Sequence, residues 1–197
     1  AELAVKWGTA LGQVWELGPH RVACGDCMDR AVVESVMRGE PPLLMVTDPP
    51  YGVEYDPHWR DDIVGDFGQR NARGNGVLND NLADWSCAWQ LFSGNVAYVW
   101  HADRHAKQVQ ISLENSGFEI RNQIIWAKQH FAISRGNYHW KHEPCWYAIR
   151  KGKSAKFIGD RTQTTLWEIS SLNPAGRIEE RLPHGTQKPL ECMARPI

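Results

Sequence analysis

Residues 43–52 read Leu-Leu-Met-Val-Thr-Asp-Pro-Pro-Tyr-Gly, and the rest of the chain is interpreted around this stretch. The apolar run from Leu43 to Val46 is short and bounded by residues that break regular structure, so it predicts a buried strand. Pro49 and Pro50 have no backbone N–H, so we expect the strand to end at Asp48. Open α/β sheets bind ligands at the carboxyl ends of their strands. The sequence therefore places Asp48 at a candidate ligand-binding edge.

The residues after this strand suit one kind of chemistry, the alkylation of an exocyclic amine. The Asp48 carboxylate and the Pro49 carbonyl can each accept a hydrogen bond from an amino group, and the Tyr51 ring offers a flat face on which a base can stack. The amine of adenine or cytosine is a poor nucleophile because its lone pair is delocalised into the ring. Two acceptors on its hydrogens favour a pyramidal nitrogen that can attack a methyl donor. The bland alternative is an ordinary exit from a strand into a turn.

The composition is that of a globular protein without a membrane span. Of the 197 residues, 42% are hydrophobic and 23% are charged, which is ordinary for a soluble domain. No apolar run approaches the ~18 residues of a transmembrane helix, and we see no pattern of a secretory signal. The five cysteines are scattered and odd in number, which favours reduced thiols in a cytoplasmic protein. Cys24 and Cys27 have CxxC spacing but no second ligand pair, so we expect no metal site.

The distribution of charge is more informative than the net charge of −1. Residues 121–161 contain nine Lys or Arg residues against two acids, a local net charge of +7. Tryptophans, tyrosines and histidines lie among these basic residues. Such interleaving is suited to phosphate contact and base stacking. For any single residue, a solvated basic face is an equally good interpretation.

The first elements predict the beginning of a parallel α/β sheet. Residues 20–26 read as a strand, and residues 29–38 have the apolar spacing of a helix. Followed by the strand that ends at Asp48, they predict the crossover unit of a parallel sheet. Residues 1–18 are expected to form an extended or irregular lead-in.

The later elements predict the remainder of the same sheet. Residues 95–100 read as a strand, and residues 118–128 and 144–150 read as two strands that form an antiparallel hairpin at the edge of an otherwise parallel sheet. Residues 52–81 are expected to form a long mobile loop, which is usually functional when it occurs inside a compact domain. Residues 154–183 are expected to be irregular.

A second motif lies close to residue 197, where residues 186–189 read Thr-Gln-Lys-Pro. Thr186 is a candidate N-cap of a helix that begins near Pro189. With residues 48–51, this motif makes the chain resemble the amino-group DNA methyltransferases, which use S-adenosylmethionine (SAM) to methylate adenine N6 or cytosine N4. The matching branch has the Asp-Pro-Pro-Tyr motif before the SAM-binding glycine loop. The resemblance implies a Rossmann-like methyltransferase sheet, of which residues 1–197 form the catalytic part of a single methyltransferase domain.

The resemblance also implies a role for each matching residue, with SAM as the methyl donor, double-stranded DNA as the partner and no metal. The implied catalytic residues are Asp48, Pro49, Pro50 and Tyr51. The implied SAM-binding residues are Asp26, Asp48, Thr186, Gln187 and Lys188. The DNA-binding candidates, drawn from the long loop and the basic stretch, are Arg70, Arg73, Arg135, Lys141 and Arg150. The resemblance further implies that residues 154–183 hold a short target-recognition segment. Glu143 is interpreted as a structural support rather than as a catalytic group.

Several alternatives stay open at this point. Adenine is the preferred target because cytosine enzymes of the resembled branch more often carry Ser where Asp48 lies, but N4-cytosine methylation is an alternative. A methyltransferase that acts on RNA or on a protein side-chain amide is another. The last is a nucleic-acid-binding relic without catalytic activity.

We expect residues 1–197 to contain only part of the SAM site. In the resembled branch a glycine-rich loop follows Thr-Gln-Lys-Pro, and no aromatic-x-Gly-x-Gly turn occurs in the sequence. A C-terminal segment or a second chain would then complete a sheet whose inner edge is otherwise unpaired. This chain alone is therefore expected to bind SAM weakly and to methylate DNA poorly. Isothermal titration calorimetry tests this, and a micromolar dissociation constant for SAM would contradict it.

Overall fold

The computed structural model of the chain describes residues 2–55, 77–132, 136–155, 157–170 and 186–197. A 3₁₀ turn over Asp103–His105 precedes the helix that begins at Ala106. The helices and strands in these residues are α1 (Glu2–Trp7), β1 (Val14–Leu17), β2 (His20–Ala23), α2 (Arg30–Met37), β3 (Leu44–Thr47), α3 (Ser86–Leu91), β4 (Val96–Trp100), α4 (Ala106–Asn115), β5 (Phe118–Ala132), β6 (Trp140–Arg150), β7 (Leu166–Glu168) and α5 (Leu190–Ala194). Within this part of the chain, no helix is long and apolar enough to cross a membrane.

The central sheet has five strands in the order β3-β4-β6-β5-β7. β3 runs parallel to β4, β7 runs parallel to β5, and β6 runs antiparallel to both of its neighbours. Four of the five strands therefore point in the same direction, which confirms the predicted α/β class and its antiparallel hairpin. The hairpin lies one strand in from the edge, because β7 pairs on the outer side of β5.

The predicted crossover unit at the start of the chain is wrong. β2 pairs with β1 in a separate two-stranded antiparallel sheet, and α2 follows it as predicted. Residues 14–17 thus form a strand in what was expected to be an extended or irregular lead-in. β1 can pair with β2 because Gly18, at a φ of +62°, allows a tight turn between the two strands. Leu17 and Val22 lie on one face of this hairpin and are more than half exposed, so that face is not packed against the core.

Alternation along β4 divides the core into two apolar clusters on opposite faces of the sheet. Val99 belongs to the first cluster, in which Trp89 of α3 and Leu113 of α4 cover the sheet. Trp100 belongs to the second cluster, which includes Trp167 of β7 and Cys192 of α5. Tyr51 packs against this second cluster, so the functional turn after β3 rests on the face that α5 covers.

Gly94, between α3 and β4, is a position at which the packing requires glycine. A Cβ atom there would lie 2.4 Å from the carbonyl oxygen of Pro42 and 2.5 Å from the ring of Phe92. The Pro42 oxygen belongs to the backbone just before β3, so it cannot move away without displacing that strand.

We therefore expect Gly94→Ala to lower the free energy of unfolding by about 1–3 kcal/mol through overpacking. Gly136→Ala is the matched control, because the nearest atom to its Cβ would be the carbonyl oxygen of Tyr138 at 3.9 Å. Urea denaturation of both variants measures the difference. Equal stability of the two variants would contradict the close approach at Gly94.

Candidate active site

The turn after β3 is shaped by its two prolines and by a glycine in the left-handed region. β3 ends at Thr47, in register with Val99 of β4, so Asp48 begins the turn at the carboxyl end of the strand, as predicted. Gly52 has a φ of +71°, and a Cβ atom there would lie 2.9 Å from Ala83. Trp85 donates from Nε1 to the Pro50 carbonyl at 3.0 Å. These contacts hold the Asp-Pro-Pro-Tyr segment against Ala83 and Trp85.

The ammonium group of Lys188 lies at the centre of the site. Its Nζ lies 2.6 Å from the Tyr51 hydroxyl oxygen, 2.6 Å from Glu143 Oε2 and 3.0 Å from Asp48 Oδ1. A lysine ammonium has three N–H donors, so these three acceptors use all of them. Nζ also lies 5.0 Å from the centroid of the Tyr51 ring and 5.3 Å from that of Trp100. Only 7% of the Lys188 side chain is exposed, so the cation is largely removed from water.

The Tyr51 hydroxyl joins the two carboxylates of this cluster. Its oxygen lies 2.8 Å from Asp48 Oδ1 and 3.2 Å from Glu143 Oε2. A phenol has one proton, and the shorter distance assigns it to Asp48. Asp48 Oδ1 thus accepts from both Tyr51 and Lys188. No partner of Asp48 Oδ2 is found among the described residues, and 28% of the Asp48 side chain is exposed.

Glu143 lies on β6 and forms an ion pair with a second lysine, Lys128. It pairs in register with Trp126 of β5, two residues before Lys128, and Lys128 Nζ donates to Glu143 Oε1. Of the two side chains, 15% of Lys128 and 23% of Glu143 is exposed. The cluster therefore contains two carboxylates and two ammonium groups, and its formal charge is balanced.

The charges in this cluster shift the pKa values of its members. Burial acts to raise the pKa of Glu143, but the ammonium groups of Lys188 and Lys128 outweigh it and lower the pKa from 4.5 to about 2. Burial acts to lower the pKa of Lys188, and the carboxylates of Glu143 and Asp48 reverse this and raise it. Burial together with the same two carboxylates raises the pKa of Tyr51 well above its ordinary value. Tyr51 is therefore a neutral hydrogen-bond donor and not a base at neutral pH.

The implied SAM-binding residues lie in two places. Asp26 is exposed after β2, and its Oδ1 accepts from the backbone N–H of Met28 at 2.8 Å. Thr186 and Gln187 immediately precede Lys188. The prediction that Thr186 caps α5 is wrong, because the N-cap position is Pro189 and has no side-chain hydrogen bond. The Lys-Pro segment instead places the Lys188 ammonium against two carboxylates, that of Asp48 after β3 and that of Glu143 on β6.

The DNA-binding candidates differ in their placement. Arg70, Arg73 and Arg135 lie outside the described residues, as do residues 56–76 of the predicted long loop. Lys141 is exposed on β6. Arg150 is the last residue of β6. Its guanidinium donates to three carbonyl oxygens, those of Phe92 at 2.5 Å, Gly94 at 3.0 Å and Ser116 at 3.4 Å. The guanidinium carbon also lies 4.5 Å from the centroid of the Phe118 ring. These contacts give Arg150 a structural role at the opposite end of the sheet from Asp48, and we do not include it in the proposed DNA surface.

Part of the predicted target-recognition segment is built into the sheet. Residues 166–168 form β7, and Trp167 is buried in the second apolar cluster. Trp126 donates from Nε1 to the carbonyl of Ile169 at 2.8 Å, which fixes the chain after β7. Residues 171–183 lie outside the described part of the chain, so the role of this segment stays a prediction.

The sequence did not reveal the contacts of three residues of this site. Glu143 was interpreted as a structural support, and its contacts with Tyr51 and Lys188 agree with such a role. Lys128 and Asp80 were not singled out. A usable signal was the acid in His-Glu-Pro-Cys-Trp, because a carboxylate in a buried strand requires a cation or several donors.

Among the described residues, no cluster of three or more His, Cys, Asp or Glu side chains could hold a metal ion.

No protein-family model matches the chain, and no characterised sequence matches it. Among solved structures, the complex of M1.HpyAVI with SAM is similar with a TM-score of 0.47 and 15% identity, covering 77% of this chain and 67% of that one. A structure of M1.HpyAVI is similar with a TM-score of 0.43 and 15% identity, covering 72% of this chain and 62% of that one.

The lowered pKa of Glu143 predicts a pH-dependent contribution to stability. A carboxyl group with a lower pKa in the folded than in the unfolded state stabilises the fold above its unfolded pKa. That stabilisation is lost as the pH falls through the folded value. We expect the stability difference between the wild type and Glu143→Gln to be full above pH 4.5 and to shrink between pH 4.5 and about 2. Thermal unfolding as a function of pH measures it.

Glu119→Gln is the matched control for this experiment. Glu119 pairs with Arg121 at 2.8 Å, but about half of each side chain is exposed, so the pair should contribute little at any pH. Parallel pH profiles of the wild type and Glu143→Gln would show that the buried cluster does not hold Glu143 ionised.

Proposed function

We propose that this chain is the catalytic part of a SAM-dependent DNA methyltransferase that methylates an exocyclic amine, preferably adenine N6. The observation that carries this proposal is the hydrogen bonding and partial exposure of the Asp48 carboxylate. One oxygen of its carboxylate accepts from Tyr51 and Lys188, while the side chain stays partly exposed at the carboxyl end of β3. The second oxygen is thus suited to accept a hydrogen bond from an incoming amine.

In the proposed mechanism, the target base leaves the duplex because its amine is not reachable inside the base stack. The amine donates one hydrogen bond to Asp48 Oδ2 and one to the Pro49 carbonyl. The base stacks on a face of the Tyr51 ring. Two acceptors on the amine localise its lone pair, and its orientation by the turn supplies much of the rate enhancement.

Lys188 and Glu143 act on this geometry through Asp48 and Tyr51. Because its three donors are all used, Lys188 is better suited to orient Asp48 and the Tyr51 hydroxyl than to hold an anionic part of the methyl donor. Glu143 and Lys128 fix the position of the Lys188 ammonium. We therefore treat Lys188 as a positioning residue, which differs from the SAM-binding role that the resemblance implies for it.

The donor site fits the chemistry of SAM in part. When bound, SAM would supply its sulfonium methyl group to the amine nitrogen, the S–CH3 bond breaking to leave a neutral thioether and the amine losing one proton after the transfer. Asp26 is an exposed carboxylate that can accept hydrogen bonds from the nucleoside end of such a molecule, and Gln187 is half-buried beside Lys188. We propose Asp26, Thr186 and Gln187 as residues that hold it. A C-terminal segment or a second chain is proposed to complete this site.

The outer part of the β5–β6 hairpin is the proposed surface for double-stranded DNA. Phe131 is 56% exposed, Trp140 is 44% exposed and Lys141 lies beside them. No acidic residue occurs between Ala127 and His142, so a phosphate backbone meets no carboxylate there. The remaining proposed DNA contacts are Arg70, Arg73 and Arg135.

The test is methyl transfer from labelled SAM to DNA by the protein with any sequence that flanks this chain in its gene. We expect Asp48→Ala to lower the turnover number at least about 100-fold, as the loss of one preorganised hydrogen-bonding group at a reacting centre does. Asp84→Ala is the matched control, because the contact of Asp84 within the described part of the chain is with the backbone N–H of Ser86, at 2.9 Å. Its activity should equal that of the wild type.

A nucleoside digest of the methylated DNA identifies the target. N6-methyladenine is expected, and N4-methylcytosine alone would reverse the choice of base. Methylation of RNA or of a protein amide, with none in DNA, would replace the substrate. An Asp48→Ala variant with wild-type activity would contradict the proposed mechanism.

A further inference from the structure

Asp80 lies directly beneath the turn that carries Tyr51. It is 7% exposed, and its carboxylate accepts hydrogen bonds from the backbone of four residues. Oδ1 accepts from the N–H groups of Tyr51 at 3.0 Å, Gly52 at 3.1 Å and Val53 at 3.3 Å. Oδ2 accepts from the N–H of Tyr55 at 2.6 Å. The Asp80 carbonyl also accepts from the N–H of Glu54 at 3.0 Å.

These contacts account for the conformation of residues 51–55. Three consecutive N–H groups can converge on one oxygen only when the backbone turns sharply, and Gly52 supplies the positive φ for that turn. Without Asp80, buried N–H donors would lose their acceptors, which is costly away from water. Within the described part of the chain, Asp80 forms no ion pair with a lysine or arginine. The contacts described for its carboxylate are all with backbone N–H groups of the turn.

The same contacts connect Asp80 to the reacting end of the site. Asp80 fixes the backbone N–H of Tyr51, and the hydroxyl of Tyr51 donates to Asp48. Lys188 also donates to that hydroxyl. A displacement of the Tyr51 backbone would therefore move the ring on which the proposed base stacks and the acceptor that receives its amine.

We propose that Asp80 is a positioning residue that sets the Tyr51 ring and hydroxyl for catalysis, and this inference rests on the proposed function. Asp80 does not touch the substrate. It acts through the backbone of residues 51–55, and its removal should affect the rate of the chemical step more than the binding of either substrate. A merely structural residue would instead reduce the fraction of folded protein and leave the turnover of each folded molecule unchanged.

The test compares Asp80→Asn with Asp84→Asn in the protein with its flanking sequence. The asparagine is isosteric, but its NH₂ group cannot accept from Tyr55 and its neutral oxygen binds the other three N–H groups less strongly. We expect Asp80→Asn to lower kcat about 10- to 100-fold, because small displacements in an oriented site have effects of this size. KM for DNA and Kd for SAM should stay within about twofold of wild type. Asp84→Asn should match the wild type in all three.

The turnover number is normalised to the number of SAM-binding sites, so loss of folded protein does not mimic the effect. Wild-type kcat per site in Asp80→Asn would overturn the inference, as would an equal loss in Asp84→Asn. If the wild type methylates no DNA, the proposed function fails, and the backbone clamp is tested separately by amide hydrogen exchange. Faster exchange of the N–H groups of residues 51–55 in Asp80→Asn, with unchanged exchange in β4, would support the clamp. Unchanged exchange at residues 51–55 would overturn it.

Discussion

The interaction on which the site depends is an ammonium group enclosed by three oxygen acceptors. Lys188 bridges Asp48, the Tyr51 hydroxyl and Glu143, and it comes from a segment 137 residues after Tyr51 in the chain. Taking charges out of water costs free energy, and the pairing offsets this cost only while each charge keeps its partner. Removal of one member leaves another buried without compensation. The cluster therefore restricts the segment that contains Lys188, the end of β3 and the part of β6 that contains Glu143 to one mutual arrangement.

The backbone of the Asp-Pro-Pro-Tyr turn is restrained from two further directions. Pro49 and Pro50 fix their own φ angles, and the Pro50 carbonyl accepts from Trp85. The Asp80 carboxylate accepts hydrogen bonds from the backbone N–H groups that follow Pro50 in the chain. The side chains of the turn are thus held by the ion cluster and its main chain by a buried acid. A catalytic geometry needs both, because a rotamer is only as well placed as the backbone that carries it.

The β5–β6 hairpin connects the site with the proposed DNA surface. Its inner part supplies Lys128 and Glu143 to the ion cluster, and its outer part carries the exposed Phe131 and Trp140. One hairpin therefore bears both the support of the turn and the aromatic side chains expected to contact nucleic acid. It lies between β4 and β7 in the sheet.

The sequence by itself determined the local features. The apolar run and the two prolines located the end of β3, and the spacing of apolar residues located α2 and the hairpin, because these follow from local sterics and periodicity. Only the tertiary structure decided which strands pair and which charges meet. β2 pairs with β1 rather than entering the sheet, and Lys188 and Asp80 reach the turn from distant parts of the chain. Such contacts depend on long-range packing and on the satisfaction of buried charges, and neither leaves a periodic signal in the sequence.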